Sequence, residues 1–157
     1  MCISRGLIAA ASALALLACS SPEAAADITV SNGWTREIAQ GQTAAAVYLT
    51  IANKGAGGDR LTVVQSAQGD ASLHTTSSSD GVARMRPLDD GLEIAQASRV
   101  ELKPGGTHIM LTGLKKRPAR GETIALTLGF ERSGKRPIAI RVVGAANDAY
   151  SSHGMNM

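Results

Sequence analysis

Three histidines and five methionines carry the strongest chemical signal in this 157-residue chain, because all but the initiator fall into two groups. His108-Ile109-Met110 lies in an alternating run, so on a strand His108 and Met110 project from one face while Ile109 and Leu111 point to the other. His74 and Met85 stand upstream with ten residues between them, and Ser77-Ser78-Ser79-Asp80-Gly81 has the composition to turn the chain back on itself. His153, Met155 and Met157 form the second group, at the C-terminus.

Two imidazoles and two thioethers select a soft, electron-rich ion, and Cu(I) is the best biological match. Zinc would favour cysteine or carboxylate ligands. Thioethers need no deprotonation and are not lost to disulfides where thiols oxidise. The alternative is structural: Met85 and Met110 fill gaps in a core, and each histidine is an ordinary packed or surface residue. A blue-copper electron-transfer site would need a cysteine thiolate beside two histidines, and the domain after Cys19 contains none. In the tail, Gly154 lets His153, Met155 and Met157 approach one ion, with Cu(I) held through sulfur and Cu(II) through His153 and nearby backbone nitrogens. The alternative there is a plain disordered terminus.

These residues sit behind an export signal. Arg5 is followed by an almost wholly apolar run over 6–18, too short to cross ~30 Å of hydrocarbon, and Leu16-Leu17-Ala18-Cys19 resembles a bacterial lipobox. Cys19 is thus a candidate lipid anchor, giving a leader at 1–18, a tether at 19–26, a β domain at 27–144 and a flexible tail at 145–157. Cleavage within Ala24-Ala25-Ala26 is the alternative, leaving Asp27 first. Both readings place the protein outside the cytoplasm.

The domain must supply strands to hold the ligands. Alternation recurs in Ile28/Val30, Val47/Leu49/Ile51, Leu61/Val63, Val100/Leu102, Ile124/Leu126/Leu128/Phe130 and Ile138/Ile140/Val142, which read as half-buried antiparallel strands. Asn53-Lys54-Gly55-Ala56-Gly57-Gly58, Asp89-Asp90-Gly91, Pro104-Gly105-Gly106 and Ser133-Gly134-Lys135 supply the turns. With no amphipathic helix, the pattern is an all-β sandwich or Greek-key barrel.

Enzyme templates are missing. The sequence has no G-x-S-x-G elbow, P-loop, dinucleotide fingerprint or H-E-x-x-H helix, and the acid pair Asp89-Asp90 beside Gly91 reads as a turn. A Ser/His/Asp set around His74 and Asp80 has no local geometric signal behind it. The expectation is a protein that is not an enzyme. A net charge of +3 with 3% aromatic residues also argues against nucleic acid as a partner. The one basic run, Lys115-Lys116-Arg117 with Arg120, reads as a solvated loop.

The order His74, Met85, His108-Ile109-Met110, within the phrases Asp80-Gly81-Val82-Ala83-Arg84-Met85-Arg86-Pro87 and Leu102-Lys103-Pro104-Gly105-Gly106-Thr107-His108-Ile109-Met110-Leu111, resembles the periplasmic copper chaperones of the PCuAC type. The likeness extends from about Ile28 to Val143 and includes Trp34 and the Asn53-Lys54-Gly55 turn. The stretch between Met85 and His108 is one residue longer than the family pattern, a difference the Asp89-Asp90-Gly91 loop absorbs. The resemblance implies a cupredoxin-like β-barrel with Cu(I) on His74, Met85, His108 and Met110. It also implies delivery toward the CuA-bearing subunit of cytochrome c oxidase, sometimes with a Sco-type thiol protein, in the periplasm. Two other functions compete with delivery: a periplasmic copper scavenger or resistance protein with no oxidase acceptor, and a non-metal β-sandwich interaction module.

Overall fold

The computed structural model describes residues 24–144. The leader at 1–18, Cys19, and the tail residues His153, Met155 and Met157 lie outside the described residues. Ten strands follow one another, and among the described residues there is no helix. They are β1 (Ile28–Arg36), β2 (Ala45–Asn53), β3 (Asp59–Ser66), β4 (Asp70–Ser79), β5 (Val82–Pro87), β6 (Leu92–Ile94), β7 (Ser98–Leu102), β8 (Thr107–Thr112), β9 (Thr123–Phe130) and β10 (Gly134–Val143).

Alternation decides what each strand buries. In β2, Val47, Leu49 and Ile51 are at most 2% exposed, whereas Ala46, Tyr48 and Ala52 on the other face stay partly open and Thr50, at 6%, is the exception. The same rule sends Ile109 and Leu111 of β8, Leu126 and Leu128 of β9, and Ile140 and Val142 of β10 into one core. The strands form a single sheet in the order β5-β4-β8-β2-β1-β10-β9-β3-β6, and β7 pairs with the second half of β2 while β8 pairs with the first. Because β3 also lies close to β4, the sheet folds over its own core as an all-β sandwich, as the alternation predicts.

The ladders differ from the sequence reading in four places. β1 runs parallel to β10, with Trp34 opposite Arg141, in a sheet whose other pairs are antiparallel. A bulge between Leu61 and Val63 turns Val63 outward, where it is 45% exposed, and Val64 packs against the core instead. β6 is too short, at three residues, to show an alternation. Finally, Ser77, Ser78 and Ser79 are not a turn but pair with Arg84, Ala83 and Val82 in the β4–β5 hairpin. The turn shrinks to Asp80-Gly81, whose positive φ values of 53° and 75° suit a two-residue hairpin loop.

Polar side chains brace the end of the sandwich where the chain enters. Asn53 is 2% exposed and fully satisfied: its Nδ2 donates to Gly57 O (2.8 Å) and Ala95 O (3.0 Å), and its Oδ1 accepts from the N–H groups of Asp27 (3.1 Å) and Gly55 (3.0 Å). Residues 24–26, at the end of the expected tether, already lie against the domain, with Gly57 N–H donating to Ala25 O at 3.1 Å.

Asp59 accepts backbone N–H bonds from Arg60 (2.7 Å), Arg132 (2.9 Å) and Ser133 (2.9 Å). Burial works to raise its pKa, and the donors of Ser133, Arg132 and Arg60 more than offset it, so the carboxyl sits below its ordinary value. A depressed carboxyl stabilises the fold above the unfolded pKa and stops doing so as pH falls through the folded one. Asp59→Ala is therefore expected to cost about 2 kcal/mol near neutral pH. The stability difference between the two proteins in urea should narrow in strong acid, and a difference that stays constant down to the most acidic pH would contradict this role.

Candidate metal centre

Strand register assembles the site. β4 pairs with β8 so that His74 lies opposite His108 and Ser72 opposite Met110, while β5 pairs with β4 so that Thr76 lies opposite Met85 and His74 opposite Pro87. Directly opposed residues share a face and a strand alternates every residue, so His74, Met85, His108 and Met110 all lie on one side of the β5-β4-β8 sheet. Leu73, Ile109 and Leu111 occupy the other side, in the core. The two half-sites expected from the sequence are thus brought onto a common face.

The local chemistry orients the rings. His108 is 4% exposed, and its Nδ1 lies 3.0 Å from Gly106 O. A carbonyl only accepts, so Nδ1 carries the proton and Nε2 keeps its lone pair. The Pro104-Gly105-Gly106 turn therefore fixes both the tautomer and the ring. The His74 ring stacks on it, 6.2 Å between centroids and 26° between planes. Its Nε2 is 3.0 Å from Ser72 Oγ, while its buried Nδ1 has no hydrogen-bond partner among the described residues. An imidazole with an unpartnered buried nitrogen beside another aimed by its backbone contact fits a metal better than it fits a packed core.

Neither methionine belongs to the hydrophobic core: Met85 is 50% exposed on β5, and Met110 is partly exposed opposite Ala46. Among the described residues no three of His, Cys, Asp or Glu come together to hold a metal, so any site on this face depends on the thioethers. Its donor set is the soft one that suits Cu(I).

Aromatic rings border the face. Tyr48 lies 6.3 Å from the His108 ring, and Trp34 lies 4.6 Å from Tyr48. Burial pushes the Tyr48 phenol above its ordinary pKa, against a smaller opposite pull from Arg36. Sequence reasoning did not single out Tyr48 or Ser72. Both were within reach, since Tyr48 alternates with Val47 and Leu49 on the outward side of β2, and Ser72 lies two residues from His74 on the same strand face.

The other sequence features occupy ordinary places. Asp89 and Asp90 lie in the turn before Gly91, which has φ 76°. Asp80 is at the hairpin tip. The basic run is an exposed loop in which Lys116 Nζ meets Glu122 Oε1 at 3.4 Å and Arg117 Nη1 reaches Ile38 O at 3.5 Å.

Known proteins share this arrangement of strands. Residues 28–142 match the LpqE-like family model, described as "Putative lipoprotein LpqE-like". A protein of Leifsonia xyli subsp. xyli (strain CTCB07), named "Putative lipoprotein Lxx21020", is 33% identical over 126 residues, covering 78% of this chain and 75% of its own length. Among solved structures, the copper-bound PCuAC domain from PmoF2 is 28% identical with a TM-score of 0.64, covering 74% of this chain and 92% of that one. The CuI-DR1885 solution structure from Deinococcus radiodurans is 27% identical with a TM-score of 0.55, covering 80% of this chain and 81% of that one. By the extent of these matches the chain belongs to the LpqE-like family, as a domain of the PCuAC type.

Proposed function

We propose that this protein is a non-catalytic copper carrier that binds Cu(I) through His74, Met85, His108 and Met110 and passes it toward the CuA-bearing subunit of cytochrome c oxidase. A Sco-type thiol protein is a further partner in that route. The observation carrying the reading is the register that sets His74 opposite His108, with both thioethers on the same partly open face. Ligands at the rim of a sheet, one of them on the fully exposed strand β5, suit a cargo that must be handed over. Cu(I) as d¹⁰ imposes little geometry, so a partner thiolate or imidazole is able to enter as one thioether leaves. Copper-bound structures of similar domains support the choice of metal.

Cys19 carries the lipid in this reading, and the chain works on the outer side of the cytoplasmic membrane or in the periplasm. The name of the Leifsonia relative and of the family supports a lipoprotein. His153, Met155 and Met157 supply a second, weaker copper site able to take Cu(I) or Cu(II).

The test is transfer. Loaded with Cu(I) under reducing conditions and mixed with a soluble CuA-bearing domain, the full mature chain is expected to lose its copper to that domain, and a chain truncated after Tyr150 to lack only the weaker equivalent. Copper that stays on the carrier in the presence of a competent acceptor would instead mark a scavenger. Equal stoichiometry with and without residues 151–157 would remove the tail site.

A further inference from the structure

The end of the sandwich where the chain enters is cationic. Loop 54–58, the turn at 131–133 and the start of β10 meet there, joined by Arg132, whose Nη1 donates to Gly58 O at 2.9 Å and whose backbone N–H donates to Asp59 Oδ1 at 2.9 Å. Lys54, Arg132 and Lys135 are exposed and Arg136 is partly so. Among the described residues four carboxylates share this end with these four cations and Arg60, and of them Glu93 is exposed opposite Arg60. Asp59 is 5% exposed and turned onto backbone N–H groups, Glu131 Oε2 lies 3.9 Å from Arg60 Nε, and Asp27 is exposed at the point of entry.

The entering chain is pinned to the same end. Ala25 O accepts from Gly57 N–H at 3.1 Å, and Asp27 O accepts from Lys54 N–H at 2.9 Å. The approach is so close that a Cβ on Gly57 would overlap the carbonyl of Ala24. Residues 20–23 are all that separate Ala24 from Cys19. Even fully extended, that span reaches about 17 Å, less than the length of β2.

We infer that this end of the domain rests on an anionic bilayer surface, with Lys54, Arg132, Lys135 and Arg136 at the phospholipid headgroups. The inference rests on Cys19 carrying the lipid, as in the function proposed above. A short leash keeps the cations within a Debye length of the headgroups, where each contributes to attraction and several together fix an orientation. One consequence concerns copper. The pair His74 and His108 lies level with Tyr48, next to the Val47–Ile109 pair and five residue steps along β2 from Asn53. That distance is roughly 17 Å at strand rise, so the metal face stands clear of the headgroups and opens sideways toward a partner on the same membrane.

The absence of cysteine between Cys19 and the C-terminus makes the test clean, since one introduced thiol takes one fluorophore. Gln96→Cys labels the β6–β7 loop at the entry end, and Gln40→Cys labels the β1–β2 loop at the other. The lipidated chain is reconstituted in vesicles of phosphatidylglycerol and phosphatidylcholine containing a headgroup-bound quencher. The Gln96 label should be quenched several-fold more than the Gln40 label, and the contrast should shrink in pure phosphatidylcholine, in high salt, and in the variant Lys54→Glu, Lys135→Glu, Arg136→Glu. Equal quenching of both labels on a protein whose mass shows the diacylglycerol adduct would overturn the orientation alone. A mass without the adduct would overturn the anchor and the orientation with it, leaving copper binding untouched.

Discussion

Replacing His108 by asparagine is expected to weaken Cu(I) binding by more than about 100-fold while leaving the domain folded. The asparagine amide falls near the place of Nδ1 and keeps the donor that meets Gly106 O at 3.0 Å, but it has nothing at the position of Nε2. Only the proposed ligand atom is lost. Competition against a Cu(I) chelator should show the loss of affinity, and denaturant unfolding should show a change of no more than about 1 kcal/mol. Unchanged copper affinity in a folded His108→Asn protein would return His108 to the role of a packed ring beside Tyr48.

The largest stability effect should come from Asn53→Asp. The side-chain Nδ2 of Asn53 serves two carbonyls, those of Gly57 and Ala95, and an aspartate would set an oxygen against both. Gly57 O, in a buried bond, and Ala95 O, in a partly buried one, lose their donor, and a charge is added at a site that is 2% exposed. The expected cost is about 3 kcal/mol, read as a shift of the urea midpoint at neutral pH. The loss should lessen in acid, where a protonated carboxyl regains one donor. An Asn53→Asp variant as stable as the wild type would mean that loop 54–58 and residues 24–27 are not held by this side chain.

The strands with strong hydrophobic alternation were legible because burial on one face leaves a period of two in the sequence, as in Val47/Leu49/Ile51 and Ile138/Ile140/Val142. β4 and β5 were not, since the hairpin is serine-rich on one strand and wholly exposed on the other, and Leu73 alone is buried, too little to imprint a pattern. Its register follows from the Asp80-Gly81 turn and from pairing with β8, both long-range or conformational facts. Val63 was misread inward because a bulge changes the phase of a strand without changing its composition. For the site, the His108/Met110 face was readable from two-residue spacing. That His74 would stand directly opposite His108 was not, because the pairing of β4 with β8 joins segments about thirty residues apart. The roles of Gly106 O and Ser72 Oγ depend on that pairing and stayed equally hidden.

Titration of the reduced, mature protein with Cu(I) against a chromogenic chelator, run beside the double variant Met85→Leu, Met110→Leu, is the most direct measurement. Leucine conserves most of the volume of methionine and both positions lie outside the core, so the fold should survive the exchange. The wild type is expected to withdraw one tightly held equivalent, without visible colour, and the double variant to lose that equivalent while unfolding at an unchanged denaturant midpoint. Superimposable copper curves for the two proteins would contradict a Cu(I) site on the His74, Met85, His108 and Met110 face.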